Sequence, residues 1–180
     1  MKENELKTLM RAQLLIGLAN SGNASVKVKQ SYQPTTQGRE QVPTLYYWQL
    51  SGPTGFGRPW HVEEYNVLTG NVVVTEVQNI LTTFQIMATA PVSPTDTSAP
   101  TPGDLALAAM QVIRSSVFIA ALQAQGAGLC DNTAIRTMQV QNDEDQFEDM
   151  PSFDFTVAHQ SRIILTGPAL QGTEFNIQRV

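Results

Sequence analysis

The chain has 180 residues, enough for one ordinary domain with a real core. Apolar residues make up 42%, close to the globular average, which excludes a disordered or collagen-like chain. Charged residues are only 15%, and 11 basic against 16 acidic give a net charge of −5, which excludes a nucleic-acid clamp built on a dense Lys/Arg face.

In chain order, the first signal is a helical stripe within residues 3–20, with Leu6, Leu9, Met10, Gln13, Leu14, Gly17 and Leu18 on one face. Asn20-Ser21-Gly22-Asn23 supplies turn formers that stop it. Val26 to Gln30 alternates as a short strand, and Pro34 to Gln41 reads as a polar loop. Thr44 to Leu50 is the densest β-favouring run of the chain. It runs into Ser51-Gly52-Pro53-Thr54-Gly55-Phe56-Gly57-Arg58-Pro59, which predicts an extended loop over 51–60. Strand patterns follow over Trp60 to Val67 and Val72 to Ala90, divided by Thr69-Gly70-Asn71. Within Glu76 to Ala88 neither alternating face is uniformly polar, as in a central strand or one at a subunit contact.

A second extended loop is predicted over 91–103, rich in Pro, Ser and Thr. Asp104 is the expected N-cap of a helix over 104–124 carrying Leu105, Ala108, Ala109, Val112, Ile113, Ser116 and Ile119. Thr133 to Gln141 forms a strand, an acidic break follows, and Ser152 to Leu165 is a final long strand. The expected architecture is one α+β domain over 1–180, with a largely antiparallel sheet flanked by two main helices. Two helices leave much of such a sheet uncovered. Gln, Thr, Asn and Ser supply the polarity that charge does not, a surface suited to packing against other subunits.

No hydrophobic run reaches the length that spans a bilayer, and the charged start Met1-Lys2-Glu3-Asn4-Glu5 is unlike a secretory signal. Cys130 is the single cysteine, which excludes an intramolecular disulfide framework and a cysteine-based zinc site and suits a reducing cytoplasm. It lies far from either histidine and reads as a buried free thiol. His61 precedes Glu63 and Glu64, but on a strand Glu64 faces away from the other two, so no metal site converges. His159 reads as a structural or surface histidine. No nucleophile elbow, Walker loop or dinucleotide fingerprint is present, and Gly52, Gly55 and Gly57 read as a hairpin tip. No catalytic residue, cofactor or metal is expected.

Two surfaces stand out. Phe56, Trp60 and Tyr65 are exposed-looking aromatics and candidate interface residues. The acidic run of Asp143, Glu144, Asp145, Glu148 and Asp149 has three readings: a solvated loop, an incomplete calcium loop, or a negative surface beside a DNA path or a basic docking partner.

The order of elements resembles that of tail terminator and neck (head–tail joining) proteins of tailed bacteriophages. The phrases that carry it are Ala124-Gln125-Gly126-Ala127-Gly128-Leu129, the acidic run from Asp143 to Asp149, and Phe153-Asp154-Phe155-Thr156-Val157. The resemblance implies a structural virion protein assembled in the host cytoplasm. It implies a homo-oligomeric ring, usually of six copies, that caps the tail tube and joins it to the head connector. The implied partners are further copies of the chain, the tail tube and sheath, or connector and portal-side proteins, with DNA passing through unread and no membrane involved. A head-completion or gateway ring below the portal is the second reading. A small-ligand or enzymatic α+β domain is the reading from another class.

Overall fold

A computed structural model describes residues 2–31, 42–91, 98–141 and 147–168. It is α+β, with three helices on a mostly antiparallel seven-stranded sheet. The elements are α1 (Glu3–Asn20), β1 (Lys27–Gln30), β2 (Thr44–Gln49), β3 (Thr54–Asn66), β4 (Asn71–Thr89), α2 (Pro102–Arg114), α3 (Ser116–Gln123), β5 (Ala127–Asn132), β6 (Arg136–Gln141) and β7 (Phe147–Pro168).

The sheet is organised around two long strands. β4 and β7 pair antiparallel in unbroken register from Asn71 opposite Pro168 to Met87 opposite Ser152. At about 3.3 Å per residue, the 19 residues of β4 reach roughly 60 Å. Shorter strands line both edges of this spine. β2 and β3 follow one another along β4, while β5 and β6 follow one another along β7. β1 adds to β2 in parallel, the one parallel pair among the described strands.

The helices cover one half of the spine. α1 buries Leu6, Met10, Leu14 and Leu18, an i, i+4 row from the expected stripe. Gly17 on the same side lets α2 come close, since a Cβ there would lie 2.3 Å from Val112 Cγ1. α2 rests on β4 and β7, α1 on β1 and α2, and α3 beside β5. Beneath them lie Leu45, Tyr47, Phe84, Ile86, Phe153 and Phe155, all buried. The Phe84 and Phe155 rings stack at 5.6 Å between centroids.

Six expectations change. The helix expected over 104–124 is two helices bent by 50°. Ser115 takes an extended backbone there, donates to the Val112 carbonyl at 2.7 Å and accepts from the Phe118 N–H at 3.2 Å, so it ends one helix and caps the next. The N-cap is Thr101 rather than Asp104. Asp104 instead closes a reciprocal box, its N–H donating to Thr101 Oγ1 at 3.1 Å and its carboxylate accepting from the Thr101 N–H at 3.0 Å. A hydrogen bond from the Thr101 hydroxyl at 2.7 Å, joined by the one from the Thr101 N–H, holds the Asp104 carboxyl below the usual range. Among the described residues, no single helix is long and apolar enough to cross a membrane.

The extended loop expected over 51–60 is strand from Thr54 onward, because the long free edge of β4 supplies partners that outweigh the Gly and Pro content. The loop expected over 91–103 already turns helical at Pro102, and residues 92–97 lie outside the described residues. The strand expected over Thr133 to Gln141 begins at Arg136 as β6, and ahead of it lies a strand that was not expected, β5. Cys130 on it is exposed rather than buried. The register shifts between Leu129 and Asp131, so Cys130 falls in the irregularity and is turned outward.

Candidate functional site: an uncovered arm

β4 and β7 continue beyond the helices as an arm. Over Asn71 to Asn79 of β4 and Gln160 to Pro168 of β7, the third strand is β3, and the end of β5 reaches only Ala158 and His159 at the arm's root. All 13 residues of β3 are exposed, and no helix packs on it among the described residues. The second face of the covered half is not bare, since Thr44, Tyr46, Thr89 and Ser152 are buried there. The uncovered sheet surface is therefore concentrated in the arm.

Register assigns the arm's side chains to two faces, because paired residues in adjacent strands point the same way. Phe56, Trp60 and Val62 share one face with Val73, Val77 and Ile164. Tyr65 lies on the opposite face with Val72, Val74, Ile163 and Leu165, where His61, Glu63 and Glu76 supply the charge. The three candidate aromatics are thus all exposed, at 41, 40 and 55%, but only Phe56 and Trp60 belong to one surface. Val77 is buried on that surface, flanked in register by Trp60 and Arg162.

The arm's edge is bent at one place. Between Phe56 and Trp60 the register of β3 shifts by a bulge, with Gly57 at a φ of 70°, a conformation that favours glycine. Gln78 on the neighbouring strand closes it, its Nε2 donating to the Phe56 carbonyl at 3.0 Å and the Gly57 carbonyl at 3.3 Å. The far end is a four-residue turn, Val67-Leu68-Thr69-Gly70. Asn66 organises it by accepting the Leu68 N–H on Oδ1 at 3.0 Å, while its carbonyl accepts the Gly70 N–H at 2.9 Å. Val67 and Leu68 are left 79 and 97% exposed.

The titratable groups converge on no reaction centre. His61 Nε2 lies 3.6 Å from Glu63 Oε1 on a solvated face, with Glu64 on the other, as the alternation predicts. His159 is buried at the root of the arm, its Nε2 3.1 Å from Thr82 Oγ1 and its Nδ1 without a protein partner. Burial lowers its pKa. Among the described residues no group of three or more His, Cys, Asp or Glu could hold a metal ion.

Of the acidic run, Asp143, Glu144, Asp145 and the side chain of Glu148 lie outside the described residues. Asp149 is on β7 opposite Gln139 of β6, and it is exposed.

Two grooves mark the described surface. One, of about 890 Å³, is open, and its walls include Leu9 and Ala12 beside Glu5, Thr8, Gln160 and Arg162. The other, of about 280 Å³, lies where α1 passes the α2–α3 bend and includes Ile16, Gly17, Val112, Val117 and Phe118. Reasoning from sequence missed the apolar turn at Val67-Leu68 and the row Ile163-Ile164-Leu165. Three adjacent apolar residues, which must occupy both faces of a strand, were the available signal.

Fold and site together define an α+β protein with helices on one half of an antiparallel sheet and a bare three-stranded arm on the other. A family model described as the E217 gateway protein gp29 matches residues 5–169. The chain belongs to that family of phage structural proteins. The neck-protein resemblance of the sequence is borne out at the level of the family. Among solved structures, the chain is similar to the sheath/tube terminator of the PVC extracellular contractile injection system in its extended state, at 12% identity and a TM-score of 0.49. That match covers 100% of this chain and 64% of the terminator. No curated protein matches the sequence.

Proposed function

We propose that this chain, as one α+β domain, closes into a homo-oligomeric ring in the neck of a tailed phage and forms part of the conduit for DNA. The observation that carries this reading is the gateway family match over residues 5–169. Tail terminator and gateway are both neck-ring positions, and the family favours the gateway. Six copies is the number the neck resemblance implies. The portal-side connector and the tail tube or sheath are then its neighbours above and below.

The chemistry of the chain supports a mechanical role. The exposed apolar residues on both arm faces and the apolar turn need partner surfaces, and a ring supplies them identically at every subunit. The low charge of the chain lowers the cost of bringing copies together. Asp143, Glu144, Asp145, Glu148 and Asp149 would line the conduit or meet a basic neighbour. In the conduit their charge repels phosphates and keeps DNA free to slide.

Imaging of purified particles tests the reading. The expected result is a closed ring of this chain on the tail axis, between portal and tail. A single copy, or a position off the axis, would overturn it. Density capping the tail tube would move the assignment to the terminator position.

A further inference from the structure

We propose that the Val67-Leu68 turn of one copy seats in the α1–α2–α3 groove of the next, so that each copy completes its neighbour's groove. The inference rests on the ring proposed above and names the contact that would close it.

The turn is built to present its side chains. Asn66 and the positive φ of Gly70 fix its backbone, so Val67 and Leu68 stand in water at the end of a paired hairpin. Little ordering entropy remains to be lost when a partner arrives. The groove is the complementary feature. Ile16, at 49% exposure, and Val117, at 64%, form its apolar rim, with Val112 and Phe118 within it. Its volume of about 280 Å³ suits a pair of aliphatic side chains. Gln13, Asn20 and Gln111 among its lining residues supply amide donors for the carbonyls of an incoming turn.

Two observations select a second copy as the occupant. First, among the described residues no charged one lines the groove, and none lies in the turn from Asn66 to Asn71. In a chain of net charge −5, this is a pair of surfaces through which like-charged copies can meet without burying a charge. Second, a chain cannot fill its own groove. The turn is at the Asn71 end of β4, and the helices pack over Phe84 and Ile86, roughly 40 Å away along the strand. Turn and groove are different patches, so their contact is head-to-tail, the type that generates a ring when the rotation closes.

Paired cysteines test the contact. In a Cys130→Ser background, Leu68→Cys and Val117→Cys variants are supplied together as the sole source of the protein in growing phage. Both positions are exposed, and unchanged thermal unfolding of each variant verifies that it folds. Mild oxidation of purified particles should link two copies of this chain at least about tenfold more in the mixture than with either variant alone. A link with Leu68→Cys alone, or a link from it to another virion protein, overturns the contact. Particles that image with a ring yet give no link also overturn it, while the ring reading survives. Particles imaged without a ring overturn the functional reading itself. As a second readout, Leu68→Ser should keep the unfolding temperature and lower incorporation into particles about tenfold; unchanged incorporation overturns the contact.

Discussion

The same two strands, β4 and β7, run through two environments. In the half from Thr82 to Ala88 and from Phe153 to Val157, the face turned toward the helices is buried. In the half from Asn71 to Asn79 and from Gln160 to Pro168, they carry Val72, Val73, Val74, Ile163, Ile164 and Leu165 with only β3 paired beside them among the described strands. Backbone hydrogen bonding is continuous across both. The difference teaches that strand pairing and core formation are separable here. The helices determine where the sheet becomes stable, and the pairing carries its geometry out to where nothing covers it.

Substitutions sharpen this contrast by how they divide between stability and assembly. The largest expected effect is in the covered half. Phe155→Ala removes a ring stacked on Phe84 and should cost about 3–5 kcal/mol, read from denaturant unfolding. Next is Gly17→Ala, whose new Cβ would lie 2.3 Å from Val112 Cγ1 and force α1 and α2 apart. Overpacking of this kind costs about 1–3 kcal/mol, and Val112→Ala in the same chain should restore most of it. Thr101→Ala, which opens the box at the start of α2, should cost about 1 kcal/mol in the same assay.

A pH titration addresses the boundary between the halves. Burial lowers the pKa of His159 in the folded chain, so below about pH 6.5 the unfolded chain takes up the proton first. Stability from this group is complete above that pH and falls as the solution is acidified through the window beneath it. Replacing His159 by Asn should flatten that stretch of the profile. The smallest effect on stability belongs to the arm. Tyr65→Ser with Leu68→Ser should change unfolding by no more than about 0.5 kcal/mol, while copies per particle fall. A destabilisation as large as that of Phe155→Ala would erase the distinction between the halves.

Much of the covered half was legible in the sequence. The α1 stripe from Leu6 to Leu18 and the alternation Phe153, Phe155, Val157 appear as buried faces, since each follows the period of its element. The break at Ser115 was not legible, because Ser116 and Ile119 continue the helical period across it and only the local hydrogen bonds of Ser115 divide it. The arm was half legible. Phe56, Trp60 and Tyr65 stood out as aromatics, but Gly55, Gly57 and Pro59 pointed to a loop, and propensity could not register the long partner edge on β4. The split of those aromatics between two faces follows plain alternation, since Tyr65 lies an odd number of residues from both Phe56 and Trp60, but that period applies only once the segment is one strand.

That bulge has a consequence for the protein's life before assembly. A straight 13-residue edge like β3 is an open template for any extended chain, and such edges seed precipitation as concentration rises. Gly57 breaks the run, Pro59 offers no N–H, and Arg58 places a charge between them, so only short stretches of uniform edge remain on either side. The interruption lowers the tendency of β3 to recruit other extended chains, leaving its edge a poorer template for precipitation.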